Sequence, residues 1–185
     1  ASQVPEDLAV VRTSPERGEW LAAVHVCAPS HWAPAEKLGR DFPGVHAPVP
    51  GFERVNAAAP ALVEAMVRRG PFVRFGWGIS GDDRLNHHPE PPEGISREAW
   101  HPQPFTGPGE PFYVRVERQV LWGLPEVGAS LFAIRLSFVP AGEIRADPRL
   151  REGLRSALRS MSPASRAYKG LAGCCEEIIG WLGGC

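Results

Sequence analysis

Phe112-Tyr113-Val114-Arg115-Val116-Glu117-Arg118-Gln119-Val120-Leu121-Trp122 is the stretch that decides the fold. Apolar and polar residues alternate along it with a period of two, and β-branched and aromatic side chains dominate the apolar set. That is the pattern of a strand buried on one face. After the turn Gly123 to Gly128, Ala129 to Val139 repeats it, so the two runs form an antiparallel hairpin. Further toward the N-terminus, Phe72 to Ser80 is a third strand. Asp7 to Thr13 and Glu19 to Cys27, joined by Ser14-Pro15-Glu16-Arg17-Gly18, make a second hairpin. The order is two strands, an irregular helical segment and three strands. Without βαβ alternation a parallel sheet is not expected. The expectation is an α+β fold: a single antiparallel five-stranded sheet with short helices on one face. Helices are predicted near Pro34, over Ala57 to Arg69, over Asp147 to Met161, and over Ala164 to Leu182 with a glycine interruption. Residues 1–185 read as one domain with a C-terminal helical extension over about 143–185.

Composition narrows the function classes. Among 185 residues, 20 are basic and 21 acidic, a net charge of -1. That balance argues against a nucleic-acid binder, which carries a basic excess. No apolar run approaches the ~20 residues needed to span a bilayer, so no membrane partner is expected. Cys27, Cys174, Cys175 and Cys185 have neither CxxC spacing nor the pattern of a secreted disulfide framework, and they read as free thiols of a cytoplasmic protein. The chain holds 20 Pro and 20 Gly, which imply many turns and long irregular connections. They are dense in 28–51 and in 81–111, and so long a loop as the latter is rare unless it is functional or covers a site.

Three breaks in pattern point to a site. Strict alternation puts Arg118 on the face of Phe112, Val114, Val116 and Val120, opposite Tyr113, Arg115, Glu117 and Gln119. A guanidinium there needs a partner: a core carboxylate, water reached by snorkelling, or an anionic or dioxygen-type ligand. On the third strand, Arg74, Gly76 and Gly78 share a face opposite Val73, Phe75, Trp77 and Ile79. Two glycines in line clear a patch on which a flat ligand fits, or mark a poorly packed, twisted strand. Among six histidines, His46 sits in Gly44-Val45-His46-Ala47-Pro48-Val49-Pro50-Gly51. The two prolines stiffen the segment, which suits an axial metal ligand, although an ordinary hydrogen-bonded histidine fits the same pattern. His88, in His87-His88-Pro89 of the long loop, is the alternative ligand. Serine-nucleophile, phosphate-loop and dinucleotide motifs are missing, and Gly76 to Gly81 lies on a strand with no phosphate-loop lysine after it.

Pro29-Ser30-His31-Trp32-Ala33-Pro34-Ala35-Glu36-Lys37-Leu38-Gly39 matches the pattern PSxWxPxEKxG, and Val45 to Gly51 matches IHxPVPG. Val73 to Trp77 matches xRxNW with Gly76 at the Asn position. Val114 to Leu121, followed by Leu124-Pro125 and Phe132-Ala133-Ile134-Arg135, matches LRVERQTL…LP…FxIR, and Tyr168-Lys169-Gly170 also fits. Together these motifs resemble the haem-dependent oxidative N-demethylase family, alpha subunit, over nearly the whole chain. The resemblance implies a PAS-like fold with haem b in a pocket between sheet and helices. It implies a monooxygenase that uses O2 to convert a small methylated amine such as dimethylamine to a primary amine and formaldehyde. Electrons would come from NADPH through FMN and 2Fe-2S components of a partner reductase. By the same resemblance His46 would hold iron, with His88 as alternative. Arg118 and Arg74 would face bound dioxygen or a haem propionate. Glu117 would take the protonated amine if a bulge turned it inward, since alternation points it away. Gly76, Trp77 and Gly78 would border the macrocycle. Gly76 in place of Asn widens the patch and implies a changed substrate or lost turnover. Family members also carry an N-terminal segment before the part matching Pro5-Glu6-Asp7-Leu8. Two other readings fit the same residues: a non-catalytic haem-binding gas or redox sensor, and a haem-free PAS-like interaction domain.

Overall fold

Residues 3–100, 107–109 and 111–184 are described by a computed structural model. Part of the long loop, with His101, lies outside the described residues, as does Cys185. Strand β1 (Asp7–Ser14) turns at Gly18, whose φ of +78° no β-carbon favours, into β2 (Gly18–His25). The two strands pair antiparallel from Leu8 opposite His25 to Ser14 opposite Gly18, with an irregularity between Val10 and Val11. The sheet is completed by β3 (Phe72–Ser80), β4 (Tyr113–Leu124) and β5 (Ala129–Pro140). Its order is β2-β1-β5-β4-β3, with β1 antiparallel to β5 through pairs such as Leu8–Ala133 and Val10–Leu131. The fold is therefore the α+β antiparallel five-stranded sheet that the alternation predicts, and it is PAS-like as the resemblance implies.

Two compact units share strands β3 to β5. The first runs to Gly76 and includes Leu85–Gly94 and Glu117–Leu136. Between β2 and β3 it holds a 3-10 turn (Pro34–Glu36) and helices α1 (Phe42–His46), α2 (Glu53–Ala57) and α3 (Ala59–Arg68). Helix α3 buries Ala59, Val63 and Val67, a stripe with a spacing of four. Its C-terminal carbonyls meet the sheet at Gly123, where an added β-carbon would collide with the carbonyl oxygens of Val67 and Arg69. That approach anchors α3 to the side of β4 that carries Gly123, Gln119 and Glu117.

The second unit comprises Trp77–Arg84, Ile95–Val116 and the chain from Ser137 onward. It contains α4 (Arg97–Trp100), α5 (Ala141–Ala146), α6 (Pro148–Ser160), α7 (Pro163–Tyr168) and α8 (Cys175–Gly183). Phe112, Val114, Ile144, Leu158, Leu171, Ile178 and Leu182 form its core. Leu158 is fully buried, which stabilises the fold by roughly 1.5–3 kcal/mol relative to an exposed leucine. Asp147 caps α6 by accepting from the amides of Arg149 and Leu150. The expected glycine interruption falls at Gly170, whose φ of +69° ends the turn after α7. Burial pushes the thiols of Cys174 and Cys175 up, so both behave as core residues.

Candidate functional site

Helix α1 is only one turn and a half long, so its placement rests on specific contacts rather than propensity. Asp41 caps it by accepting from the Gly44 amide at 2.8 Å, and Pro43 occupies the first turn. The Phe42 amide donates to both carboxylate oxygens of Glu19 on β2, at 3.0 and 2.9 Å. Lys37 Nζ donates to the Val45 carbonyl at 2.8 Å, near the C-terminal end of the helix, where a cation is favoured. Burial pushes the Lys37 ammonium down from its ordinary value.

His46 is the last residue of this helix. Its Nδ1 lies 2.8 Å from the Phe42 carbonyl oxygen. A carbonyl only accepts, so Nδ1 carries the proton and Nε2 keeps its lone pair. The ring contacts Phe42, at 4.2 Å between centroids, and stacks nearly parallel on Phe52, at 5.1 Å. Burial lowers the His46 pKa; the bond to Phe42 partly opposes this, and the charges of Arg74 and Lys37 add to the lowering. His46 is thus a neutral imidazole with Nε2 free of a proton at neutral pH.

The facing part of the sheet is polar. On β3, Arg74 Nε donates to Gln119 Oε1 at 2.5 Å, and Gln119 Nε2 donates to Glu117 Oε2 at 2.8 Å. The Arg74 guanidinium lies 5.6 Å from the centroid of Phe132. Burial lowers the Arg74 pKa, and the Glu117 carboxylate opposes that. A β-carbon at Gly76 would sit 3.3 Å from Glu117 Oε2 and 3.4 Å from Gln119 Nε2. Gly76 therefore leaves the room that this carboxylate–amide pair occupies, and a larger side chain there would displace it.

The other sequence-derived candidates fall elsewhere. Arg118 is exposed and lines a groove with Leu8, Val120 and Leu131, on the opposite side of β4 from Glu117. Alternation places the two residues on opposite faces, as observed, but does not tell which face α3 covers. In the first unit the face toward α3 carries Arg74, Gln119 and Glu117, so Glu117 reaches the His46 side with no bulge. Trp77 and Gly78 belong to the second unit. The Trp77 carbonyl accepts from Lys169 Nζ at 2.7 Å and its ring packs on the C-terminal core; a β-carbon at Gly78 would meet no atom within 4 Å. His88 Nδ1 lies 3.0 Å from the Glu90 amide nitrogen and 3.1 Å from the Glu90 carbonyl oxygen, within its own loop. Gln119, Phe42 and Phe52 were not singled out by sequence, and neither was α1. The Asp41-Phe42-Pro43 cap was its one legible signal.

Glu19 yields a test of how α1 is fastened. Its carboxyl pKa is raised by burial, lowered in part by the Phe42 amide, and raised by neighbouring Asp41. A raised acid contributes stability that is present below its unfolded pKa and lost as pH rises through the folded one. Glu19→Gln keeps an oxygen acceptor for the Phe42 amide without the buried charge. The variant is expected to melt slightly above the parent at about pH 7 and level with it at about pH 4. Melting curves at the two pH values check this; a lower Tm at the higher pH would contradict it.

Haem iron takes its equatorial ligands from the porphyrin and an axial ligand from the protein, for which a histidine imidazole serves. One neutral histidine with Nδ1 tied to a carbonyl fits the ligand chemistry of such a group. Among the described residues no three His, Cys, Asp or Glu side chains converge as a metal cage. No helix among them is long and apolar enough to cross a membrane. A family model described as haem-dependent oxidative N-demethylase, alpha subunit-like, matches residues 1–179.

Proposed function

The chain belongs to the haem-dependent oxidative N-demethylase, alpha subunit-like family, and from that premise we propose that it is the subunit that binds haem b and the amine. The overall reaction consumes a secondary methylamine such as dimethylamine, O2, two electrons and two protons, and releases a primary amine, formaldehyde and water. The electrons come from a reductase partner carrying NADPH, FMN and 2Fe-2S chemistry. Bound haem supplies the redox and dioxygen chemistry. The observation that carries this reading is the hydrogen bond from His46 Nδ1 to the Phe42 carbonyl.

The chain's own residues divide the remaining work. His46 offers Nε2, and the Phe42 carbonyl holds the proton on Nδ1, which fixes the ring and raises its basicity. Phe42 and Phe52 flank the ring and limit water around it. An aliphatic secondary amine is protonated at neutral pH, so a carboxylate is its complement, and Glu117 takes that role. Gln119 orients the carboxylate by donating to Oε2 at 2.8 Å. Arg74 fixes Gln119 in turn, so Arg74 and Gln119 are positioning residues. Gly76 makes the space in which Glu117 sits.

The test supplies haem-loaded protein with dimethylamine and a chemical reductant, and measures formaldehyde and O2 uptake together. Glu117→Gln is expected to raise KM for the amine by about tenfold or more, with the haem spectrum unchanged. Haem uptake without formaldehyde from the parent protein would favour the sensor reading instead.

A further inference from the structure

Arg118 remains without a role in that site, and its surroundings suggest another. In the first unit Leu8, Val120, Leu131 and Ala133 line an open groove of about 340 Å³, with Trp122 on its rim. The Trp122 side chain is 40% exposed. Among the described residues three charged groups border the groove: Arg118, Arg135 and Glu6. Arg135 Nη1 pairs with Glu6 Oε1 at 3.2 Å, so these two largely cancel. Among the described residues Arg118 has no hydrogen-bond or ion-pair partner. The result is an apolar trough with one uncompensated guanidinium.

We infer that this groove binds a medium-chain aliphatic carboxylate, its alkyl chain on Leu8, Val120, Leu131 and Ala133 and its carboxylate on Arg118. The volume lies at the lower end of the ~300–1,000 Å³ typical of small-ligand sites, which suits one short chain. Apolar lining with a single placed cation selects an amphipathic anion over a neutral hydrocarbon. The same charges disfavour a second copy of the chain. A two-fold interface sets each patch against itself, and two guanidiniums with one carboxylate on each side leave like charges facing. The inference stands apart from the haem reading, because Arg118 and Glu117 point from opposite faces of β4.

Octanoate, octan-1-ol and octylammonium, each below its aggregation threshold, are titrated into the purified protein while tryptophan fluorescence is followed. Octanoate is expected to give a saturable change that Trp122→Phe removes. It should bind about threefold to fivefold more tightly than octylammonium. Arg118→Gln should erase that preference and Arg118→Glu should invert it; both change an exposed side chain and should leave folding intact. Absence of saturable binding would overturn the inference, as would a preference that ignores both Arg118 variants. A dimer in sedimentation that Trp122→Glu dissociates would put a second copy in the groove and overturn it as well.

Discussion

Gly123→Ala is expected to lower the melting temperature by about 10 °C, corresponding to a loss of about 3 kcal/mol or more. The reason lies in what the new methyl group meets. It would run into the carbonyl oxygens of Val67 and Arg69, which are backbone atoms at the end of α3 and cannot rotate away. Relief requires α3 to lift from β4, and that uncovers Val63 and Val67, at 2% and 5% exposure. Since α1 to α3 form the helical side of the candidate site, haem uptake should fall along with stability. Gly153→Ala is the control. Gly153 lies inside α6, and a β-carbon there meets nothing within 4 Å. That change should stabilise the protein by about 0.5–1 kcal/mol through helix propensity. Thermal melts of the two variants separate close approach from a general intolerance of alanine.

His46→Gly carries the largest functional effect. The imidazole is replaced by a cavity between Phe42 and Phe52, and the Phe42 carbonyl loses its donor. Haem affinity is expected to drop by about 100-fold or more, the scale on which losing a dedicated ligand acts. Added imidazole should restore the parent spectrum, because the cavity matches it and the carbonyl still accepts its N–H. A merely structural histidine would show no such rescue. Lys37→Met, which removes the donor to the Val45 carbonyl beside His46, should weaken uptake far less; parallel haem titrations measure both.

The strands were legible because a period of two persists over eight or more residues, as in Tyr113 to Leu121, and because turns at Gly18 and Gly128 punctuate them. Helix α6 was legible for the same reason at a different period, through Leu154 and Leu158. Helix α1 was not, because five residues are too few for any periodicity, and only the Asp41 cap and Pro43 signal it. The greater difficulty was choosing a face. Alternation assigns Glu117 and Arg118 to opposite sides of β4 but carries no information on which side the helices occupy. That is settled at Gly123, where β4 and the end of α3 touch, a contact between residues more than fifty positions apart in sequence. Likewise, Gly76 read as a cleared patch, but its neighbours Glu117 and Gln119 emerge only when β3 lies beside β4.

The central claim is that His46 binds haem iron through Nε2. Its most direct test is the absorption spectrum of the haem-loaded protein, ferric and ferrous, compared for the parent, His46→Ala and His88→Ala. The account predicts a saturable spectral shift at one haem per chain in the parent, unchanged bands in His88→Ala, and altered bands in both oxidation states in His46→Ala. Spectra for His46→Ala that coincide with those of the parent, or no saturable shift in the parent at any haem concentration, would contradict it.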